Sequence, residues 1–141
     1  MNVMVEENWY TESMMVSNPL NIYVYGDNAA RVGKGGQASI REHSNSVGVA
    51  TKRTPDMGEM AFFSGTSWDL QTLLTDLFNL ERMHSDPKFN KFTLVFPKDG
   101  LGTGLAKLPE TSPYLYDVLS KFIFKFFNVE TLEDGSLQLV K

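Results

Sequence analysis

Two apolar runs, LNIYVY at 20–25 and KFTLVF at 91–96, each break directly into glycine-rich chain. The first is followed by GDNAARVGKGGQASIR (26–41) and the second by PKDGLGTGLAKLP (97–109). Runs of this kind read as buried strands, and the glycines let the chain turn sharply away from the sheet. Between them, SVGVAT (46–51) predicts a second short strand and TKRTPDMGEMAFFSGT (51–66) a long loop marked by Pro55, Gly58 and Gly65. Leu70, Leu73, Leu74, Leu77, Leu80 and Met83 then recur at helical spacing, predicting an amphipathic helix over 67–84 with Ser67 as N-cap. GGQASIREH (35–43) has the composition of a short helix, and a final helix fits 112–127, with Leu115, Val118, Leu119, Phe122, Ile123 and Phe126 inward. Residues 1–7 and 136–141 each read as an edge strand. Strands alternating with helices make an α/β layered domain, in which ligands bind beyond the carboxyl ends of the strands. Both glycine clusters fall there, so two loops, 26–37 and 97–108, are expected to face one crevice.

The 141 residues suit a single domain over 1–141 with its own core. No apolar stretch approaches the ~20 residues that span a bilayer, so no membrane partner is expected. The opening MNVMVEENWY carries glutamates where a signal peptide is basic and apolar, which points to a cytoplasmic protein. There is no cysteine, and the two histidines, His43 and His84, are far apart, so neither a thiol nucleophile nor a metal site is expected. The net charge of −4 argues against nucleic acid as a partner. That total hides an asymmetry. Arg31, Lys34, Arg41, Lys52 and Arg53 face a single acid, Glu42, which makes the segment 31–53 +4 and the remainder −8. Cations beside unhindered glycine N–H groups favour an anion such as phosphate.

The glycines do not fit the common nucleotide loops. Gly33-Lys34 is followed by Gly35 where a P-loop needs Ser or Thr, and GKGGQA and GLGTGLA lack the third glycine of a dinucleotide fingerprint. There is no GxSxG elbow and no Ser-His-Asp or Cys-His set.

The string YGDNAARVGKGGQASI, a strand running into Asn28, a glycine cluster and a helix, resembles the first ligand loop of macrodomains. TLVFPKDGLGTGLAKLP resembles their second loop, which wraps a diphosphate, and Thr51-Lys52 matches the Thr-Lys pair of the branch that removes ADP-ribose from acidic side chains. The pattern over about 20–127 also resembles an uncharacterised family of small phage proteins. The resemblance implies a three-layer domain with a mixed central sheet flanked by helices. It implies a protein that binds ADP-ribose or a related adenine nucleotide and counters a host defence built on such molecules, in the host cytoplasm. An ADP-ribosyl glycohydrolase, with Lys52 and Asp99 as catalytic residues, and an inhibitor of a host protein with purely structural glycines are the alternatives. Ala106 stands where that branch carries a carboxylate. A lysine nucleophile would also have to be unprotonated, hence desolvated or beside another cation. Binding without catalysis is therefore the preferred reading, with no cofactor.

The ligand-contacting candidates are Asp27, Asn28, Arg31, Gly33, Lys34, Gly35, Gly36 and Gln37 from the first loop and Thr51 and Lys52 from the middle strand. The second loop adds Lys98, Gly100, Gly102, Thr103, Gly104 and Leu105. Asp27, Asn28 and Asp99 could instead cap turns. Phe62 or Phe63 could lie over an adenine or close the edge of the core. Trp68 is expected in the core, and Phe122, Phe124, Phe126 and Phe127 are too dense for one inner face, which leaves some to be covered by edge strands or a second subunit.

Overall fold

The computed structural model describes residues 1–140. Its centre is a four-stranded sheet built from β1 (Asn2–Glu6), β2 (Asn21–Asn28), β3 (Ser46–Lys52) and β4 (Thr93–Pro97), in the order β1-β4-β2-β3. Each pairing in it is parallel, where a mixed sheet was expected. The reason lies in the crossovers, because every connection between these strands carries a helical segment over a face of the sheet, which returns the chain in the same direction.

Alternation along the strands sorts two cores. Ile22 and Val24 of β2 and Leu94 and Phe96 of β4 enter the larger one, against Leu73, Leu77 and Leu80 of α2 (Ser67–Ser85) and Leu115, Leu119 and Ile123 of α4 (Pro113–Phe127). Tyr23, Tyr25 and Val95 point the other way, onto Met15 of α1 (Glu12–Ser17) and Ala38 and Ile40 of a 3-10 helix (Gly36–Ile40). The result is three layers, one thick with helix and one thin. Both faces of the sheet are covered, which is the condition a parallel sheet requires.

α2 is capped by Thr66, whose hydroxyl accepts the Asp69 N–H, one residue earlier than Ser67. α4 starts at a Ser112 cap and ends at Asn128 in the left-handed conformation. A short α3 (Leu108–Thr111) leads into it. The C-terminal segment does not join the main sheet. β6 (Leu137–Leu139) pairs antiparallel with β5 (Val129–Thr131), a strand too short to show in sequence, and the hairpin packs beside β1. Phe122 and Phe127 are core, Phe126 is partly buried, and Phe124 is exposed. Trp68 is exposed as well, contrary to expectation, because it sits in the first turn of α2 on the side away from the leucines. Among the described residues, no helix is long and apolar enough to cross a membrane.

Candidate functional site

The chain folds its two glycine loops onto neighbouring strands, β2 and β4, and at their carboxyl ends the loops meet. An added Cβ at Gly26 would lie 3.6 Å from the Gly102 nitrogen and 3.8 Å from Thr51 Oγ1. Gln37 ties the contact together. Its Oε1 accepts the Gly26 N–H at 2.8 Å and its Nε2 donates to the Gly100 carbonyl at 2.8 Å. Gln37 thus spends its amide on the protein and works as a staple between the loops.

Above this seam lies a cavity of about 540 Å³, within the range of small-molecule sites. Asp27, Asn28, Gly33, Gly35, Gly36, Gln37, Thr51, Lys52, Asp99, Gly100, Gly102, Thr103, Gly104 and Leu105 all line it. Two glycines there differ in kind. Gly102 has φ +75°, and a Cβ would come within 3.0 Å of Leu108 Cβ and 3.1 Å of Thr51 Cβ, so backbone and packing both demand glycine. Gly104 would carry a Cβ with nothing within 4 Å, in the open space of the cavity.

Arg31, Lys34 and Lys98 lie outside this lining. The local surplus of positive charge is taken up by carboxylates, most of them distant in sequence. Arg31 forks onto Asp76 at 2.7 and 2.8 Å and reaches Asp27 at 3.3 Å, while Asp76 also accepts the Ala50 N–H at 2.7 Å. Arg41 pairs with Asp27 at 2.6 Å, Lys34 with Glu42 at 3.0 Å and Lys98 with Glu7 at 2.6 Å. Arg53 forks onto buried Asp69 at 2.9 Å on both arms. Burial works against the Asp69 carboxylate, but the Arg53 guanidinium and the Ser64 N–H outweigh it and hold its pKa below the usual range. These pairs fix the loops; they do not present free cations to a ligand. Asp27, although on the cavity wall, is also committed, with Oδ1 accepting the Asn28 N–H at 2.7 Å as well as Arg41.

Asn28 is different. It is 6% exposed, its Nδ2 donates to the Val32 carbonyl at 2.8 Å, and its Oδ1 is buried with no partner among the described residues. The Val32 carbonyl fixes the amide orientation, since only the NH₂ end can donate to it. An unpaired buried acceptor costs about 1–3 kcal/mol. A ligand hydroxyl or N–H on this wall would recover that.

Lys52 is 5% exposed, and its ammonium donates to the Asp56 carbonyl at 2.8 Å and sits 4.6 Å from the Phe62 ring centroid. Burial pulls its pKa below the ordinary lysine value; the Asp56 charge opposes this and Lys107 adds to it. The shift runs in the direction a lysine nucleophile needs, while the Asp56 carbonyl and the Phe62 ring both favour the charged ammonium. Phe63 is fully buried in the core and Phe62 is engaged by Lys52, so neither lies on the cavity wall.

The wall also contains residues that the sequence did not single out, notably Trp9 after β1 and Asp134 in the C-terminal hairpin. Neither is near a glycine cluster in sequence; the pairing of β1 with β4 brings Trp9 there, and the hydrogen bond from the Leu137 N–H to the Lys98 carbonyl brings the hairpin that carries Asp134. No curated protein and no solved structure matches the chain. A family model described as a family of unknown function, DUF7831, matches residues 5–122, and the chain belongs to that family.

Proposed function

We propose that this protein binds ADP-ribose or a related adenine nucleotide in the crevice between the two glycine loops. The observation that carries the reading is the unpaired Oδ1 of buried Asn28, a residue that lines a cavity of about 540 Å³. A ribose hydroxyl supplies the missing donor, and exposed glycine backbone supplies N–H groups for phosphate. Since the arginines are consumed in ion pairs, backbone amides rather than guanidinium forks hold the diphosphate. A role in countering host defence goes with the resemblance to small phage proteins. The test is a thermal melt with ADP-ribose, NAD, ATP and cyclic nucleotides. Ligand at ~100 times its dissociation constant stabilises by ~2.7 kcal/mol, and a melt unmoved by all of them overturns the reading.

A second reading, hydrolysis of an ADP-ribosyl bond, is favoured by one observation: desolvated Lys52 and Asp99 line the same cavity. Lys52 Nζ, once deprotonated, would attack the ribose carbon and break its bond to the modified glutamate, which leaves as carboxylate. Water would then release the sugar from the lysine. Asp99, across the cavity from Lys52, would exchange the proton only through intervening water. Release of ADP-ribose from modified glutamate distinguishes the two.

A further inference from the structure

Trp9 leaves 54% of its surface exposed on the wall of the cavity. An indole so placed adds little to folding, yet the chain that follows it is anchored. The adjacent Tyr10 is buried and its hydroxyl donates to the Val24 carbonyl at 2.8 Å, and Thr11 caps α1. An exposed ring at a cavity, on chain anchored at the next two residues, is a stacking surface with only two side-chain torsions to fix when occupied.

Two carboxylates share that end. The Lys98 N–H donates to the Glu6 carbonyl at 3.0 Å, and the Leu137 N–H donates to the Lys98 carbonyl at 2.8 Å. This lacing sets Trp9, Asp99 and Asp134 at the β1–β4 end of the cavity, whereas Asn28 and Lys52 close the β2–β3 end. Three strand spacings, about 14 Å, separate the outer strands. Asp134 uses Oδ1 on the Ser136 N–H and hydroxyl of its own turn, which leaves Oδ2. Carboxylates repel phosphate and accept hydrogen bonds from amines.

We infer that Trp9 is the platform for the ligand's base, and that Asp99 and Asp134 beside it select a base with an exocyclic amino group over uracil. The inference rests on the nucleotide reading above and orients the ligand, with the base at the β1–β4 end and a ribose hydroxyl at Asn28.

The chain has two tryptophans, so Trp68→Phe, an exposed change outside the cavity, leaves Trp9 as the sole tryptophan, read apart from the tyrosines by excitation at the red edge of the indole band. In that background adenosine and ADP-ribose quench the emission, and a uridine diphosphate sugar binds at least tenfold more weakly. Trp9→Ala weakens ADP-ribose about five- to hundred-fold, the range that one stacked base is worth, and Trp9→Phe restores most of it. The double variant Asp99→Asn/Asp134→Asn narrows the preference for adenine over uracil. If calorimetry shows ADP-ribose bound to the parent protein while Trp9→Ala keeps its affinity within twofold, the platform is refuted and the nucleotide reading stands. Equal binding of the uridine and adenine ligands refutes the base selection. If neither adenosine nor ADP-ribose binds or quenches, both readings fall.

Discussion

Replacing Gln37 by Met removes the two amide groups that join the glycine loops and keeps an unbranched side chain of similar length. The Gly26 N–H and the Gly100 carbonyl, each held at 2.8 Å, lose their partner together. An orphaned buried backbone group costs about 1–3 kcal/mol. Gln37 and Gly26 are half-buried and Gly100 is buried, so water reaches part of the site and the lower half of that range applies. At about 1–2 kcal/mol for each of the two groups, the expected loss is about 2–4 kcal/mol in urea unfolding, with the slope unchanged, together with weaker ADP-ribose binding as the walls part. Gln37→Glu keeps the acceptor for Gly26 but sets a carboxylate against the Gly100 carbonyl. Its deficit therefore shrinks as pH falls and the acid protonates, because a protonated carboxyl can donate to that carbonyl. Unfolding of Gln37→Met within 0.5 kcal/mol of the parent would refute the staple.

The two kinds of glycine separate fold from binding. Gly102→Val, at φ +75° and against Leu108, should lose at least about 3 kcal/mol or fail to fold, whereas Gly104→Val should melt within about 0.5 kcal/mol of the parent and lose ADP-ribose; circular dichroism and calorimetry decide. Asp69→Asn should destabilise by about 3 kcal/mol at pH 7, since it breaks a fork to Arg53 at a fully buried carboxyl. Because the folded pKa of Asp69 is depressed, its contribution is complete above the ordinary carboxylate pKa and fades as pH falls through the folded value. The gap between the two proteins should thus close in acid, and a gap constant with pH would contradict the ion pair. On the nucleotide reading the parent should bind ADP-ribose without releasing it from modified glutamate, since the resemblance to ADP-ribosyl hydrolases puts Ala106 where those carry a carboxylate and one positioned acid or base is worth ~10²–10⁴-fold. Release that disappears in Lys52→Ala with binding intact would install Lys52 as the nucleophile.

What the sequence made legible was local. The leucine spacing of α2, the Ser112 start of α4 and the apolar runs of β2 and β4 all follow from period and punctuation. The convergence of the loops was also readable, because both leave strand ends that α/β connection rules put on one side. Partner identity was not. Asp69 reads as an acid that suits a helix N-terminus, and it is in fact the buried counter-ion of Arg53. Asp76 reads as a polar position on α2, yet it anchors Arg31, 45 residues away. The basic segment looked like a surface for an anion because the acids that pair its arginines, Asp27, Asp69 and Asp76, lie outside the window in which charge was counted. Trp9 carried no signal at all, for its place on the wall depends on strand order.

That order has a consequence for synthesis. Residues 2–6 hydrogen-bond to 93–97, and the cavity wall runs from Trp9 to Asp134. A chain leaving the ribosome holds its first strand unpartnered until some ninety further residues have emerged, with Val3, Met4 and Val5 still without their neighbours. Pairing at such separation is slow, and the waiting edge is open to association with other chains. At ~5–20 residues per second the wait lasts roughly 5–20 s. A nascent protein halted before the β5–β6 hairpin would carry both glycine loops and still lack one end of the pocket, so any ligand of the complete pocket must wait for that hairpin and cannot assist early folding.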